Sequence, residues 1–234
     1  MAIDLKKMRA KLSALHSKGN GSKFWKPPEG ESVIRIVPAQ DGDPFKEFWF
    51  HYNLGNNFGF LSPKRNFGEE DALDQFVRKL WEDGSDESRE MAKKLMAKQR
   101  FFSPVIVRGE ENEGVKVWGF SKTVYENLLQ LVLNPDYGDI TDPHDGTDLV
   151  ITYGKAPGAM YPNTIITARR KSSKLCDDKE MAKEILETEV EWDTLFERKT
   201  PEQVSQMLDE YLLGEDGADS SDESTADNAG LEKS

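Results

Sequence analysis

Alternation of apolar and polar residues is clearest near the middle of the chain, where it predicts a β-hairpin. Residues 101–108 are rich in aromatic and β-branched side chains, which favour a strand. A polar turn over residues 110–114 separates them from residues 115–120, which alternate strictly. One face of this second strand then carries Lys116, Trp118 and Phe120. The hairpin is therefore either amphipathic, with its rings in the core, or a surface on which rings and cations lie together.

Hydrophobic periodicity in the rest of the chain predicts a mixture of strands and helices. Further strands are predicted over residues 32–37, 45–52, 148–153 and 163–170. Helices are predicted over residues 4–16, 69–82, 85–99, 122–133, 177–189 and 201–213. Short strands interrupted by helices are typical of an α+β fold. Because no apolar run approaches the ~20 residues that span a bilayer, we expect no membrane association.

Two features bear on metal chemistry and on the cellular setting. The single cysteine, Cys176, excludes an intramolecular disulfide and a zinc site built from several cysteines, and it fits a reducing, cytosolic setting. Aspartates recur at every third position from Asp139 to Asp148, which raises the alternative of a metal-dependent nuclease. The glycine and proline residues among these aspartates favour turns instead.

Charge is strongly polarised along the chain, whose net charge is −12. Residues 214–234 carry seven acids against one base and few apolar side chains, so they predict a disordered acidic tail. Residues 149–176 contain five bases and no acid. The polar face of the predicted helix over residues 4–16 carries Lys6, Lys7, Arg9 and Lys11. Such asymmetry indicates a polyanionic partner and a tail that competes with that partner.

Several motifs together, in their serial order, carry a family resemblance. They are H-Y at 51–52, L-S-P-K-R-N-F-G-E-E-D-A-L-D-Q-F at 61–76, Q-R-F-F-S-P-V-I-V-R-G-E at 99–110 and V-W-G-F-S-K-T-V-Y-E at 117–126. From about Leu5 to Tyr153 the chain resembles the single-stranded DNA-binding (helix-destabilising) replication proteins of T-even-type tailed phages, particularly their marine cyanophage relatives. The basic head and the acidic tail also stand in the order that this family has.

The resemblance implies a domain organisation and a location. An α+β core over residues 23–200, built on an OB-fold-like five-stranded β-barrel, would bind single-stranded DNA and carry a helical insertion at about residues 62–99. Residues 1–22 would form a basic arm for cooperative self-association, and residues 201–213 a C-terminal helix ahead of the tail. The protein would act in the cytoplasm of the infected host bacterium, without enzymatic activity.

The resemblance also implies a zinc site in the insertion, made from one histidine and three cysteines. Its positions in this chain hold His51, Ser62, Asp71 and Asp74. Only His51 is a ligand of the expected type, and a serine hydroxyl is a poor substitute for a thiolate. We therefore expect that zinc has been lost and no cofactor is needed. An apolar stripe of Leu73, Phe76 and Trp81 would hold the insertion together instead.

The same resemblance, with the pattern of rings and cations, predicts the binding residues. Stacking on bases and nearby charge are assigned to Arg100, Phe101, Trp118 and Tyr161. Contacts with phosphates are assigned to Lys64, Arg65, Lys98, Arg108, Lys116, Lys122, Arg169, Arg170 and Lys171. Lys6, Lys7, Arg9 and Lys11 are assigned to contacts between adjacent copies.

The predicted function is cooperative coating of single-stranded DNA during phage replication, recombination and repair. The expected partners are single-stranded DNA, further copies of the chain, and replication and recombination proteins bound by the acidic tail. A protein-interaction scaffold acting through that tail is an alternative, as is the nuclease.

Overall fold

The computed structural model describes residues 23–54 and 59–214. The predicted arm (residues 1–22) lies outside the described residues, as does the predicted acidic tail beyond residue 214. Within the described ranges the chain combines one mixed sheet with helices, which confirms the predicted α+β class.

The strands of the described residues all join that sheet. They are β1 (Phe24–Trp25), β2 (Gly30–Ile36), β3 (Lys46–His51), β4 (Phe60–Leu61), β5 (Lys98–Val107), β6 (Lys116–Phe120), β7 (Thr147–Gly154) and β8 (Asn163–Ser172). Their order is β1-β6-β5-β2-β7-β8, with β3 paired to β5 and β4 paired to β3. The β1–β6 pair is parallel and the other pairs are antiparallel. The predicted hairpin is therefore present as β5 and β6.

The helices are α1 (Pro63–Phe67), α2 (Ala72–Asp83), α3 (Asp86–Leu95), α4 (Lys122–Val132), α5 (Lys179–Glu187), α6 (Trp192–Leu195) and α7 (Pro201–Gly214). Helix α3 ends earlier than the predicted residue 99. Met96 has an extended backbone, and β5 begins at Lys98. The first residues of β5 pair with β3. Cross-strand pairing therefore overrides the local helical preference here. The two-residue strands and the one-turn helices were not predicted, because they are too short to show a period.

One hydrophobic core collects residues from six strands. Besides Trp25 of β1 it includes Ile34 of β2, Val105 of β5, Trp118 of β6, Ile151 of β7 and Ala168 of β8. Helix α4, which lies between β6 and β7 in the chain, adds Val124 and Leu128 to this core. These six strands thus share one interior.

The other face of β5 and β6 is covered by the C-terminal part of the chain. Phe102 and Val117 pack with Phe50 of β3 and with Phe196. Ile106 packs with Ile185 of α5. Consequently β5 and β6 are buried on both faces, which a surface hairpin would not be.

The helical insertion has a core of its own. Leu73 and Val77 of α2 pack with Leu95 of α3, and Val204 and Leu208 of α7 join the same cluster. The C-terminal helix therefore packs on the insertion. The predicted apolar stripe is wrong at its last member, because Trp81 is 43% exposed and Val77 takes the buried position.

Candidate nucleic-acid interface

The β7–β8 hairpin carries cations that pair with no carboxylate in the described part of the chain. They are Lys155 in the connection and Arg169, Arg170 and Lys171 at the end of β8, and all four are exposed. No acid lies between Asp148 and Asp177, so the hairpin itself supplies no counter-charge. The basic run at the end of β8 is therefore a local concentration of uncompensated positive charge, and Lys155 adds one further cation at the opposite end of the hairpin.

The register of the hairpin explains which side chains reach its surface. Val150 lies opposite Thr167, and Thr152 lies opposite Ile165. Ala168 belongs to the core, whereas Ile165 and Thr167 are exposed, as the alternation of a strand requires. An irregularity in the pairing occurs where the basic run lies opposite the start of β7.

Exposed apolar side chains lie at the connection end of the hairpin. Tyr161 in the β7–β8 connection is 49% exposed, beside Met160 at 75%, and Ile165 of β8 is 54% exposed. The register puts Tyr161 at the same end as Lys155, whereas the basic run lies at the other end of β8. Exposed rings stack on bases, so the hairpin offers both kinds of group along its length.

A second ring-and-cation cluster joins helix α1 to strand β3. The guanidinium carbon of Arg65 lies 5.2 Å from the ring centroid of Trp49. The amide of Asn66 donates to the Trp49 carbonyl at 2.7 Å and accepts from the Trp49 N–H at 3.0 Å, so it holds α1 against β3. Lys64 is exposed beside Arg65 and has no ion-pair partner among the described residues.

From the sequence, Trp49 is one of several rings that cannot be assigned to stacking or to the core, and a neighbouring pair, Phe67 and Arg198, was missed. The guanidinium carbon of Arg198 lies 4.0 Å from the Phe67 ring centroid, and Arg198 pairs with Glu69. These contacts join residues that are far apart in the chain. No local pattern indicates them.

Two of the predicted stacking residues lie in the core. Trp118 is 1% exposed and meets the Trp25 ring edge-on, with 5.9 Å between centroids. Phe101 is 3% exposed and stacks on Tyr125 at 4.0 Å. Because both rings are buried in the core, neither is accessible to a base. We therefore no longer consider them candidates for base stacking.

Arg108 and Lys116 also differ from their predicted places, since both are in ion pairs. Arg108 donates to the Asp148 carboxylate at 2.7 and 3.1 Å and to the carbonyls of Lys174 and Leu175 at 2.7 Å. It thereby pins the segment after β8 to the sheet. The same Asp148 oxygen, Oδ1, lies 3.7 Å from Nη1 of buried Arg35. Arg108 is therefore occupied by a structural contact.

Lys116 pairs with Glu110 at 3.3 Å and with Glu113. Burial lowers the pKa of Lys116, but the hydrogen bonds and charges of the two glutamates more than offset this and raise its pKa above the ordinary value. Lys122 is exposed and lies 3.9 Å from Glu126 in the next turn of α4. Neither lysine is free of a neighbouring carboxylate.

Lys98 and Arg100 lie at the start of β5, where they are half-buried. They pair opposite Phe50 and Phe48 of β3, and the guanidinium carbon of Arg100 lies 5.7 Å from the Tyr52 ring centroid. The structure therefore places these two cations beside aromatic rings of β3, on the face that the C-terminal segment covers.

The four positions of the implied zinc site do not form a ligand set. His51, Ser62 and Asp71 come together in a buried, hydrogen-bonded group around the Asp71 carboxylate. Asp74 lies outside it and pairs with exposed Arg65 and Arg78 at 3.8 and 3.9 Å. Among the described residues no group of three histidine, cysteine or acidic side chains is arranged to hold a metal ion.

The aspartates of the connection between α4 and β7 serve local turns. Asp139 accepts from the Thr141 N–H at 2.8 Å, and Asp142 accepts from the N–H groups of His144 and Asp145 at 2.7 and 2.8 Å. Asp148 is buried against Arg108. The turn interpretation explains these residues, whereas a nuclease centre needs carboxylates that converge on one cleft.

A comparison of the chain with models of known protein families gives one match. A family model described as "gp32 DNA binding protein like" matches residues 28–211, which is most of the chain. The chain belongs to the gp32-like family of DNA-binding proteins. This confirms the family resemblance drawn from the sequence, and it supports single-stranded DNA binding by a non-catalytic protein. Among curated proteins, none matches the chain significantly.

The gp32-like match includes both ring-and-cation clusters, the α1–β3 cluster and the β7–β8 hairpin.

A separate observation concerns membranes. In the residues that the structure describes, every helix is too short or too polar to cross a bilayer.

Proposed function

We propose that this protein coats single-stranded DNA cooperatively and without sequence specificity, as a non-enzymatic component of phage replication, recombination and repair. Family membership supports strand binding. Six strands that share one core, with α4 between β6 and β7 in the chain, support an OB-like barrel as the binding unit. Such barrels bind single strands in a basic groove lined by aromatic rings.

The observation that carries this proposal is the β7–β8 hairpin. Lys155, Arg169, Arg170 and Lys171 have no carboxylate partner among the described residues, so a phosphate need not displace an existing ion pair. Tyr161 offers an exposed ring in the same hairpin. We assign phosphate contacts to the four cations and base stacking to the ring.

The α1–β3 cluster extends the proposed interface. Lys64 and Arg65 supply positive charge beside the half-buried Trp49 ring. A base that stacks on Trp49 would share this ring with Arg65, which cation–π geometry permits because the ring has two faces. Lys98 and Arg100 remain candidates for phosphate contacts at the start of β5.

We assign cooperativity to the basic arm, with a surface of the adjacent copy as its receptor. A groove of about 280 Å³ lies between the β2–β3 connection and the chain around α6. Its lining includes apolar Val37, Pro44, Leu186, Val190 and Trp192. Three acidic residues, Asp41, Asp43 and Glu189, also line the groove, together with one basic residue, Lys46. This acidic, apolar lining complements the arm, for which the sequence predicts a helix with Lys6, Lys7, Arg9 and Lys11 on one face and leucines on the other.

The acidic tail supplies the remaining part of the proposal. Its seven acids resemble a strand in charge, so the tail competes with DNA for the basic surface and presents a docking segment to replication and recombination proteins. Such a protein works in the cytoplasm of the infected host, without a metal cofactor.

The test is binding of fluorescently labelled oligo-dT, measured by anisotropy at several salt concentrations. The full chain is compared with a chain ending at Gly214, and a duplex of equal length is the competitor. We expect salt-sensitive binding to oligo-dT, weaker binding to the duplex, and tighter binding by the shortened chain. Failure of both chains to bind would refute the proposal and favour a scaffold that acts through its tail.

Cooperativity is tested separately on long poly-dT. We expect deletion of residues 1–22 to abolish cooperative binding while affinity for a one-site oligonucleotide is retained. The charge reversal Glu189→Lys in the groove should reproduce that loss. If it leaves cooperativity intact while the deletion removes it, the arm binds elsewhere.

A further inference from the structure

A single buried carboxylate, that of Asp71, joins four separate segments of the chain. Asp71 is the N-cap of α2, and His51 is the last residue of β3. Ser62 is the N-cap of α1, and Leu95 is the last residue of α3. The side chains of His51, Ser62 and Asp71 meet where these segments converge, and each residue is at most 1% exposed.

The hydrogen bonds around Asp71 use most of its acceptor capacity. Its Oδ2 accepts from His51 Nε2 at 2.9 Å and from Ser62 Oγ at 2.7 Å. Its Oδ1 accepts from the Asp74 N–H at 3.1 Å, which caps α2. The other ring nitrogen of His51, Nδ1, lies 3.2 Å from the Leu95 carbonyl oxygen. One carboxylate and one imidazole thus connect β3, α1, α2 and α3.

The direction of these bonds decides what the group can hold. A carbonyl oxygen only accepts, so the bond to Leu95 puts a proton on Nδ1. Nε2 faces the Asp71 carboxylate, whose same oxygen accepts from Ser62. A metal ligand needs an unprotonated ring nitrogen, and here both nitrogens face acceptors. The third member is a neutral serine hydroxyl.

The fourth position of the implied zinc site makes the same point. The Asp74 carboxylate turns away from the group and pairs with exposed Arg65 and Arg78 at 3.8 and 3.9 Å. With a serine at one position and Asp74 directed elsewhere, the set does not close the tetrahedron of four ligands that a structural zinc site needs.

We infer that the His51–Ser62–Asp71 group is a hydrogen-bonded cross-link that takes the structural place of a metal, so that the helical insertion folds and stays attached to the sheet without one. The apolar cluster of α2, α3 and α7 supplies burial, and the cross-link supplies the fixed geometry. It also ties β3 to α1, the two elements that hold Trp49 and Arg65. This last consequence rests on the proposed function, whereas the cross-link itself does not.

The first measurement is the thermal unfolding midpoint of the full chain, by circular dichroism, with and without a strong zinc chelator. Metal content is determined on the same purified protein. We expect less than a stoichiometric amount of zinc and no shift of the midpoint on chelation. Stoichiometric zinc, or a chelator-dependent drop of several degrees, would overturn the inference.

The second measurement compares two carboxylates three residues apart. Asp71→Asn removes the charge that His51 and Ser62 need, and leaving buried donors unpaired should lower the midpoint by roughly 10 °C. Asp74→Asn is the matched control, because its exposed ion pairs contribute little, and it should shift the midpoint by about 2 °C or less. Equal shifts in the two variants would refute the cross-link.

Ser62→Ala covers the case in which Asp71→Asn does not fold. It removes one hydrogen bond to Asp71 and the cap of α1, so we expect a smaller drop of about 3 °C. A midpoint unchanged from that of the unaltered chain would count against the cross-link, independently of any DNA-binding result.

Discussion

Neutralising the basic run of β8 should flatten the salt dependence of DNA binding. The perturbation is the triple variant Arg169→Gln, Arg170→Gln and Lys171→Gln. These side chains are exposed and pair with no carboxylate among the described residues, so the change removes charge without breaking an internal contact. The free energy of unfolding should therefore change by less than about 0.5 kcal/mol, as for surface substitutions in general.

The expected magnitude follows from the four unpaired cations of the hairpin. Each phosphate contact on a single strand contributes about −0.7 to the slope of log affinity against log salt. The four contacts of the hairpin therefore contribute about −3 to the slope, which is a roughly 50-fold loss of affinity between 50 and 200 mM salt. The triple variant removes three of these contacts, so its slope should be shallower by about 2, while Lys155 and the α1–β3 cluster keep their contributions.

The assay is anisotropy of labelled oligo-dT across that salt range, and Lys116→Gln is the matched control. Lys116 has the same charge and was also predicted to contact phosphate, but it pairs with Glu110 and Glu113. Its loss should leave the slope unchanged. A triple variant with the slope of the unaltered chain, or a control that flattens the slope equally, would refute the reasoning.

Three further predictions test the placement of single side chains. Trp118→Ala should cost about 3–5 kcal/mol in urea unfolding because the ring is 1% exposed, whereas Trp81→Ala, at a ring 43% exposed, should cost far less; equal costs would contradict the burial. Tyr161→Ala should weaken oligo-dT binding by about 1–3 kcal/mol with unchanged stability, while Tyr161→Phe keeps the affinity; an unaffected alanine variant would exclude stacking there. Acid unfolding should depend on Asp71: burial raises its pKa, but hydrogen bonds from His51 and Ser62 outweigh this and lower it from 3.8 to about 2. Its stabilising contribution, about 2 kcal/mol, is therefore complete above pH 4 and lost as the pH falls through 2, so the Asp71→Asn variant should show a shallower fall in stability over that range.

The elements of the fold were predictable where the pattern is local. The alternation in residues 115–120 depends on neighbours in sequence, and β6 forms there as Lys116–Phe120. The helix start at Ser85 was likewise readable, because its hydroxyl accepts from the Ser88 N–H within one turn.

The exposure of the rings was not predictable, because it depends on distant parts of the chain. Trp118 faces the main core, while its neighbour Val117 faces Phe196 from the C-terminal segment. Alternation tells which residues share a face and not which face meets solvent. A strand covered on both sides therefore looked, from its own sequence, like a strand with one free surface.

The roles of the charged side chains were also hard to predict, because some of their ion-pair partners are distant in the chain. Arg108 meets Asp148 forty residues later in the chain, so its place in a buried ion pair is invisible to local reading. Lys116, in contrast, is paired within six residues by glutamates that the sequence displays. Weighing cations against nearby acids would have removed Lys116 from the candidates, and Arg108 too, because Arg108 lies 3.8 Å from Glu111 three residues later; the buried partner Asp148 is the part that local reading misses.

Pairing, rather than the number of cations, decides where a polyanion binds on an acidic protein. A phosphate that approaches Arg108 must displace a buried carboxylate, which costs more than the new contact returns. At Arg169, Arg170 and Lys171 it displaces only mobile counterions, whose release favours binding. The acid-free stretch from Leu149 to Cys176 can therefore attract a polyanion although the net charge of the chain is −12. Half of that negative charge is in the tail that follows residue 214. If the tail competes for the same cations, as proposed above, removing it should strengthen binding most at low salt, where the competing charges are least screened.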